Sequence, residues 1–324
     1  MGQKWDVAEF QQALVEAFDW DDEERARGVV ARFGEQPRRA RAALEEMLES
    51  PDASVRRAGA FGLGELGGTA SVKRLEEQMS LEEAREDYDG SSVLEVITEA
   101  LGRIKGSGAR STLLRRFKRV VARKPSGYDL DEVTYALWQK RHPDLIPEVR
   151  AALAQIEPKL GHRLRMLLHL LETSPDKLAA WLQDRAVPAS EKTDVLTLLD
   201  FSLPDDFLPI LPAFIAAGRA VQDAASVKDS AEAEYCERLF VTLMIHWKRV
   251  EPALSAEERG HLQELARLCI TSADSSCNIR AAGTLGRVGT PEDIPLLDAH
   301  RPEHPVLNEL FDKAIRAIRN RNGG

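Results

Sequence analysis

Apolar residues recur at three- and four-residue spacing along most of this chain, which is the period of an amphipathic α-helix. The pattern is clearest over residues 54–67. It returns over residues 92–106 at an offset of 38 residues, with Leu63-Gly64 aligned to Leu101-Gly102. Gly67 follows the first copy and offers the positive φ angle that commonly ends a helix. Each copy is therefore predicted to begin a helix–turn–helix pair, which buries its apolar face only against neighbouring pairs.

The motif appears a third time near the other end of the chain, over residues 276–289, with Leu285-Gly286 at the equivalent position. These residues resemble bacterial HEAT-repeat proteins, including the subgroup named after phycobilisome-lyase HEAT-like repeats. The resemblance covers roughly a third of the chain and implies an all-α, right-handed α-solenoid of about eight HEAT-like helical pairs. That family consists mostly of interaction scaffolds and includes a few enzymes.

The periodicity and the placement of glycine and proline predict one solenoid over residues 1–324, without a convincing β-strand. An amphipathic capping helix that includes Trp5 is expected at its start, and an exposed acidic loop is expected at the end of residues 81–90. The predicted subdivision is an N-terminal cap with the first repeat (1–50), clear repeats (51–125), degenerate repeats (126–217), a hinge (218–230) and C-terminal repeats (231–320).

Composition describes an ordinary soluble protein, with 43% hydrophobic and 30% charged residues. The N-terminus lacks the pattern of a secretion signal, and the most apolar run, residues 239–247, is too short to span a membrane. Cys236, Cys269 and Cys277 lack the spacing of a metal site. The sequence thus predicts a reduced, cytoplasmic protein with no metal and no cofactor, and it leaves the oligomeric state open.

Charge is distributed unevenly along a chain whose net charge is −9. Residues 103–124 contain nine basic and no acidic residues, against an acidic background on both sides. Like charges four residues apart on a helix destabilise it by about 0.2–0.5 kcal/mol per pair, so this block needs compensation. Its members are the candidate binding residues: Arg103, Lys105, Arg110, Arg115, Arg116, Lys118, Arg119, Arg123 and Lys124.

The repulsion between the like charges of this basic block can be compensated in two ways. Acids on neighbouring helices, such as Glu76-Glu77, would make the block a solvated face, whereas an external anionic partner would make it a binding surface. The HEAT resemblance implies that second helices line a concave groove, which places Arg115, Arg119 and Arg123 there. We expect the partner to be an acidic protein segment rather than nucleic acid or lipid. The chain is acidic overall, its basic block has no interleaved base-stacking aromatic, and the apolar face of that helix is needed by the core.

Three motifs suggest chemistry, but their context argues against it. The GxGxxG match at residues 62–67 ends a predicted helix, the HxxEH match at His300–His304 contains Pro302, and the acidic run at residues 87–90 lacks the ligands of a calcium loop. No nucleophile is paired with a base by sequence. The chain is therefore predicted to be a non-enzymatic protein-binding scaffold. The alternatives are a nucleic-acid-binding HEAT-like protein, a lyase-like enzyme acting on a tetrapyrrole, and an inhibitor or immunity partner.

Overall fold

The structure is a computed structural model that describes residues 6–19, 22–123, 126–224, 230–272 and 274–322. All regular elements within these residues are helical, which confirms the predicted all-α class and is consistent with HEAT-like repeats. The chain divides into two compact units, Met1–Leu164 and Arg165–Gly324.

The described residues of the first unit form nine helices and the start of a tenth. Their bounds are α1 (Val7–Asp19), α2 (Glu23–Phe33), α3 (Pro37–Met47), α4 (Ala53–Leu66), α5 (Gly68–Glu83), α6 (Tyr88–Arg103), α7 (Ser107–Ala122), α8 (Gly127–Gln139), α9 (Leu145–Leu153) and α10 (His162–Glu172), in which the boundary between the units falls.

The described part of the second unit contains the remaining helices, with three short 3₁₀ segments between some of them. Their bounds are α11 (Pro175–Gln183), α12 (Ala189–Phe201), α13 (Leu211–Ala224), α14 (Ser230–Ile245), α15 (Trp247–Val250), α16 (Ala256–Cys269), α17 (Ser275–Val288), α18 (Ile294–Ala299) and α19 (Pro305–Asn322). The 3₁₀ segments are Asp205–Ile210, Glu251–Ala253 and Pro291–Asp293.

Short polar side chains determine where several helices begin. The Asp52 carboxylate accepts a 2.8 Å hydrogen bond from the backbone N–H of Ser54 at the start of α4. Asp87 accepts one of 2.6 Å from the N–H of Gly90 at the start of α6. Each bond satisfies a backbone donor that has no partner within the helix. The acidic run at residues 87–90 is thus a helix start with an N-cap.

The Leu-Gly motif of the repeats is explained by how closely the first helices of successive pairs pack. A Cβ atom placed on Gly64 of α4 would lie 2.7 Å from the Cβ atom of Ala100 on α6. One placed on Gly286 of α17 would lie 3.1 Å from the Cα atom of Ala314 on α19. Close packing therefore requires the glycine that follows the leucine in these two motifs, because a side chain there would push the two helices apart.

The acidic segment 81–90 contains an exposed loop, as expected, but only over residues 84–87. Helix α5 continues to Glu83, and Glu82 lies in the core with its side chain fully buried. Its carboxylate accepts a 2.8 Å hydrogen bond from Arg56, whose guanidinium also donates to the backbone carbonyls of Ser50 and Pro51. A buried pair of this kind is tolerated because both charges have several hydrogen-bond partners.

Part of the predicted hinge at 218–230 is helical, since α13 continues to Ala224. Residues 225–229 of that segment lie outside the described residues, as do Trp5 of the predicted capping helix and the last two residues of the chain. The His300–His304 motif lies between α18 and α19 and forms no continuous helix. No helix in the described ranges is both long and apolar enough to cross a membrane.

Candidate functional site

Helix α7 carries most of the predicted basic block, and its most buried member is Arg116. Only 4% of the Arg116 side chain is exposed, and its guanidinium lies 3.2 Å from the Glu83 carboxylate and 3.1 Å from that of Glu132. Burial raises the pKa of Glu132, while the neighbouring Arg116 charge opposes that shift. Arg116 is therefore part of the internal structure of the first unit, bridging α5 and α8 through α7.

Arg115 and Arg119, two of the three arginines expected to line a groove, face acids on α5. Arg115 is 2.6 Å from Glu76, and Arg119 is 2.9 Å from Glu83. These acids lie 36 to 39 residues earlier in the chain, on the second helix of the preceding pair. They supply the compensation that like charges four residues apart on α7 require.

Three of the six remaining predicted residues also have acidic neighbours. Arg103 lies 3.3 Å from Glu65, Arg110 lies 3.5 Å from Asp144, and Lys118 lies 2.8 Å from Glu148. Within the described residues, Lys105 and Arg123 have no ion pair, and Lys124 lies outside those residues. Much of the positive charge of the block is thus balanced within the first unit, and the binding role of the block stays a prediction.

The pKa of one amine near α7, that of Lys140, is affected by the positive charge of a neighbouring arginine. The pKa of Lys140 is lowered to about 8, first by burial and then by the positive charge of Arg110. Its Nζ atom donates a hydrogen bond to the backbone carbonyl of Ile104. Among the described residues, no carboxylate pairs with Lys140, in contrast to Arg115, Arg116 and Arg119 of α7.

The second unit has another candidate binding surface, which lies around α17. A groove of about 750 Å³ lies beside this helix and is bordered by α14, α15 and α19. Apolar side chains form much of its lining, and basic side chains stand around them. Its lining residues are Met244, Trp247, Glu251, Ile279, Arg280, Gly283, Gly286, Arg287, Leu310, Lys313, Ala314, Ala317, Asn320 and Arg321.

The floor of this α17 groove is formed where α17 and α19 pack closely together. Gly286 and Ala314 bring α17 and α19 together, and small side chains at this crossing leave space above it. Arg321 of α19 donates hydrogen bonds to the backbone carbonyls of Gly286, Arg287 and Gly289, at 3.0, 2.5 and 2.5 Å. It therefore donates hydrogen bonds to backbone carbonyls at the end of α17 that accept none within the helix. The same bonds join α19 to α17.

Two arginines of α17 have a very different environment from those of α7. Arg280 and Arg287 are exposed and lie seven residues apart on one face of the helix, with exposed Gly283 between them. Neither guanidinium has an ion pair or a side-chain hydrogen bond within the described part of the chain. Helix α17 contains no acidic residue that could pair with them locally. The result is an apolar groove with unbalanced positive charge along one side.

The charge of the α17 groove is not cancelled by its other polar residues. Lys313 lies 3.2 Å from Glu309 in an exposed pair one helical turn away, and such pairs contribute little to stability. Glu251 is the acidic residue among those that line the groove. An arrangement of apolar floor and cationic side favours a ligand that combines apolar surface with negative charge.

Sequence reasoning missed this surface because the C-terminal two thirds of the chain are acidic overall. A local signal was present: the stretch from Ser275 to Pro291 contains two arginines and no acid, in a chain with 53 acidic residues. The exposed glycine between those arginines is a second signal, since glycine in an exposed helix interior is about 1 kcal/mol less favourable than alanine.

The three cysteines lie together although they are distant in sequence. Cys236 of α14, Cys269 of α16 and Cys277 of α17 are fully buried and form no disulfide bond. Contact with Cys236 and Cys277, together with burial, raises the pKa of the Cys269 thiol far above its usual range. The thiol is therefore protonated and takes part in core packing. Among the described residues, no group of three or more His, Cys, Asp or Glu side chains has an arrangement that could hold a metal ion.

Comparison with known proteins identified no matching protein-family model and no matching curated protein. One similar solved structure is human deoxyhypusine hydroxylase in complex with glycerol. The two chains share 13% sequence identity, and the match covers 90% of this chain and 98% of the other with a TM-score of 0.39. A similarity at this level carries no argument about substrate or mechanism.

The comparison nevertheless corrects one expectation. The chain was predicted not to be an enzyme because its sequence contains no catalytic motif, but the protein to which its structure is similar is an enzyme. Helical-repeat proteins assemble their sites from side chains on distant repeats. A missing local motif is therefore no reason to exclude catalysis, and that exclusion is withdrawn.

Proposed function

We propose that this protein is a binding scaffold for an acidic segment of a partner protein and that the segment binds in the α17 groove. Within each unit, we infer that the helical pairs stack as HEAT-like repeats with the right-handed sense of an α-solenoid. We place its action in the cytoplasm. The observation that carries the proposal is the pair of exposed, unpaired arginines, Arg280 and Arg287, beside an apolar groove.

The groove fits a protein segment better than it fits a nucleic acid. The side chains of Met244, Ile279 and Leu310 offer apolar surface, which a peptide with large apolar side chains covers and a phosphate backbone does not. The net charge of −9 also opposes binding of a long polyanion, whose affinity comes mainly from neutralised phosphates. A short acidic segment needs only the local field of the groove.

The predicted surface on α7 is the natural competitor. Its arginines already have acidic neighbours, so an incoming carboxylate must displace Glu76 or Glu83 before it gains an equivalent contact. Arg280 and Arg287 have no such neighbour in the part of the chain that the structure describes, so a new ion pair with them breaks none there. We therefore favour the α17 groove over the α7 surface as the place where an acidic segment binds.

The test is a fluorescence anisotropy titration with labelled amphipathic peptides rich in Glu and Leu, beside a labelled DNA duplex. We expect the peptides to bind the wild-type protein, and we expect R280E/R287E to weaken binding by roughly tenfold or more, since tenfold corresponds to about 1.4 kcal/mol. The matched control is R316E/R319E. It changes the net charge equally, on exposed arginines of α19 that do not line the groove.

Several outcomes would contradict the proposal. One is that no acidic peptide binds the wild-type protein. Another is that R316E/R319E weakens binding as much as R280E/R287E, because the effect would then depend on net charge alone. If R115Q/R119Q abolishes binding while R280E/R287E retains it, the segment binds at α7 instead. If only the duplex binds, with affinity that falls steeply as salt rises, the protein is a nucleic-acid binder.

A further inference from the structure

The spacing of the two unpaired arginines restricts the shape of the segment that the α17 groove can accept. Arg280 and Arg287 are seven residues apart on one helix, which corresponds to about 10.5 Å along its axis at 1.5 Å per residue. An α-helix of the partner reproduces this distance with two carboxylates that are also seven residues apart. Both carboxylates then lie on one face, because seven residues are close to two turns.

An extended strand does not meet the same requirement. At about 3.3 Å per residue, a separation of about 10 Å corresponds to three residues, and side chains three apart on a strand point to opposite faces. One of the two carboxylates would then face away from α17. A strand also presents its apolar side chains every second residue, which matches a flat surface better than a groove beside a helix.

Gly283 is the second observation. It lies within α17 between the two arginines, it is exposed, and a Cβ atom placed on it would meet no other atom within 4 Å. Packing within the chain therefore does not require glycine there, in contrast to Gly286 three residues later, where Ala314 leaves no space. A residue without a side chain in the middle of an exposed helical face allows a second helix to approach closely, as small residues do where helices cross.

Charge and apolar surface are arranged for such a helix. The arginines stand on the exposed face of α17, while the apolar side chains of Met244, Trp247 and Leu310 come from the neighbouring helices. A helix that places its apolar stripe between these side chains brings flanking carboxylates toward the guanidinium groups. This is the pattern of an amphipathic helix in a groove, with anchors at positions i, i+3 or i+4, and i+7.

We propose that the α17 groove binds an amphipathic α-helix of a partner protein, with two carboxylates seven residues apart that pair with Arg280 and Arg287 and with an apolar stripe that packs over Gly283. This inference rests on the proposed function, because it assumes that the groove binds an acidic segment. It adds the conformation of that segment and the register of its charges.

The experiment uses the full chain and three labelled synthetic peptides of equal length and charge. The first is helical, with Glu at positions i and i+7 beside a Leu stripe. The second places the same two Glu residues five apart, which moves one of them to the opposite face. The third has the first spacing but carries a central Pro that breaks the helix. Circular dichroism verifies the helicity of each peptide, and anisotropy gives its dissociation constant.

We expect the first peptide to bind the wild-type protein at least about tenfold more tightly than the second or third. The G283L variant places a side chain where the partner helix packs, and it should weaken binding by about tenfold. Its matched control is G28L, because Gly28 is also an exposed helix glycine with open space around it, but it lies in α2 and outside the groove. G28L should bind as the wild type does. Thermal unfolding verifies that both variants fold.

A charge exchange makes the test specific for the register. R280E/R287E should bind a peptide that carries Lys at i and i+7 more tightly than it binds the Glu peptide, because each ion pair is restored with its sign reversed. The helix proposal is overturned if all three peptides bind equally, if G283L has no effect, or if the Lys peptide gains nothing. If binding still depends on Arg280 and Arg287 in those cases, the proposed function stands and only the helical conformation is wrong. If no peptide depends on these arginines, both proposals fail.

Discussion

Two arginine-bearing helices, α7 in the first unit and α17 in the second, show how differently the same side chain is used within one protein. On α7, most guanidinium groups lie close to carboxylates of neighbouring helices, and Arg116 is almost fully buried between two of them. On α17, Arg280 and Arg287 are exposed and unpaired within the described residues. The helix with the higher density of positive charge thus has less of it available to a partner.

This difference has a physical cause. A cation in a helical repeat faces the preceding and following helical pairs, so its electrostatic environment depends on the charges that those helices contribute. The pairs around α7 contribute Glu76, Glu83 and Glu132, whereas the helices around the α17 groove contribute mainly apolar side chains. Charge density along the sequence is therefore a poor measure of the potential at the surface.

The largest effect is expected from Arg116→Ala. This change leaves the buried carboxylate of Glu132 without its arginine and leaves Glu83 with Arg119 alone. Loss of one member of a buried pair destabilises proteins by about 3–5 kcal/mol. Lys118→Ala on the same helix is the control, since the exposed pair with Glu148 is worth about 0–1 kcal/mol. Urea unfolding measures both changes. Equal losses would show that burial does not distinguish the two cations.

Two glycine substitutions extend the comparison to packing. Gly64→Ala places a Cβ atom 2.7 Å from that of Ala100, so it should destabilise the first unit by about 1–3 kcal/mol. Gly283→Ala on α17 meets open space and should stabilise the protein by up to about 1 kcal/mol, the difference in helix propensity. Thermal unfolding should show opposite signs. A loss of stability in Gly283→Ala would mean that this glycine has a role within the chain.

An acid-dependent effect is expected from Asp293, which lies after α17 and whose carboxylate is 2.5 Å from Arg267. Burial tends to raise the pKa of Asp293, but hydrogen bonds from Arg267, the backbone N–H of Thr290 and Gln263 outweigh burial, and the pKa lies below its usual 3.8. A carboxyl group with a lowered pKa in the folded state contributes stability above its unfolded-state pKa and loses it as pH falls through the folded-state value.

Asp293→Asn should therefore cost about 1.5–3 kcal/mol at pH 7, which is typical for hydrogen bonds to a charged group. The difference from the wild type should shrink as pH falls below 3.8, where the wild-type carboxyl also becomes protonated. Urea unfolding at a series of pH values measures this difference. A difference that stays constant from pH 7 to about pH 3 would contradict the assignment of the stability to the ionised carboxylate.

The smallest effect is expected from Arg280→Gln and Arg287→Gln. Both side chains are exposed and unpaired in the described structure, so each change should alter the free energy of unfolding by less than about 0.5 kcal/mol. The same variants should lose affinity for an acidic helix, as proposed above. A loss of stability comparable to that of Arg116→Ala would show that these arginines serve the fold, and the contrast between α7 and α17 would then disappear.

The positions of helices were predictable because their signals are local. Gly67, which the sequence predicts to end a helix, follows α4 and has a positive φ angle of 67°. The acidic segment 81–90 was harder to predict, because the partner of Glu82 is Arg56, 26 residues away. The α17 groove was not predicted, since its lining residues come from four helices that no sequence pattern connects.

The amino-acid sequence by itself determined the all-α class, the repeat of the Leu-Gly motif and the approximate bounds of the helices, because a period of 3.6 residues, caps and helix-ending glycines act within a few residues of each other. Only the tertiary structure decided which charges are free. Arg115 and Arg119 meet acids 36 to 39 residues away, whereas Arg280 and Arg287 meet none among the described residues. Electrostatic interactions fall with distance in space and not with separation in sequence, so the available charge of a helix is set by what the fold packs against it.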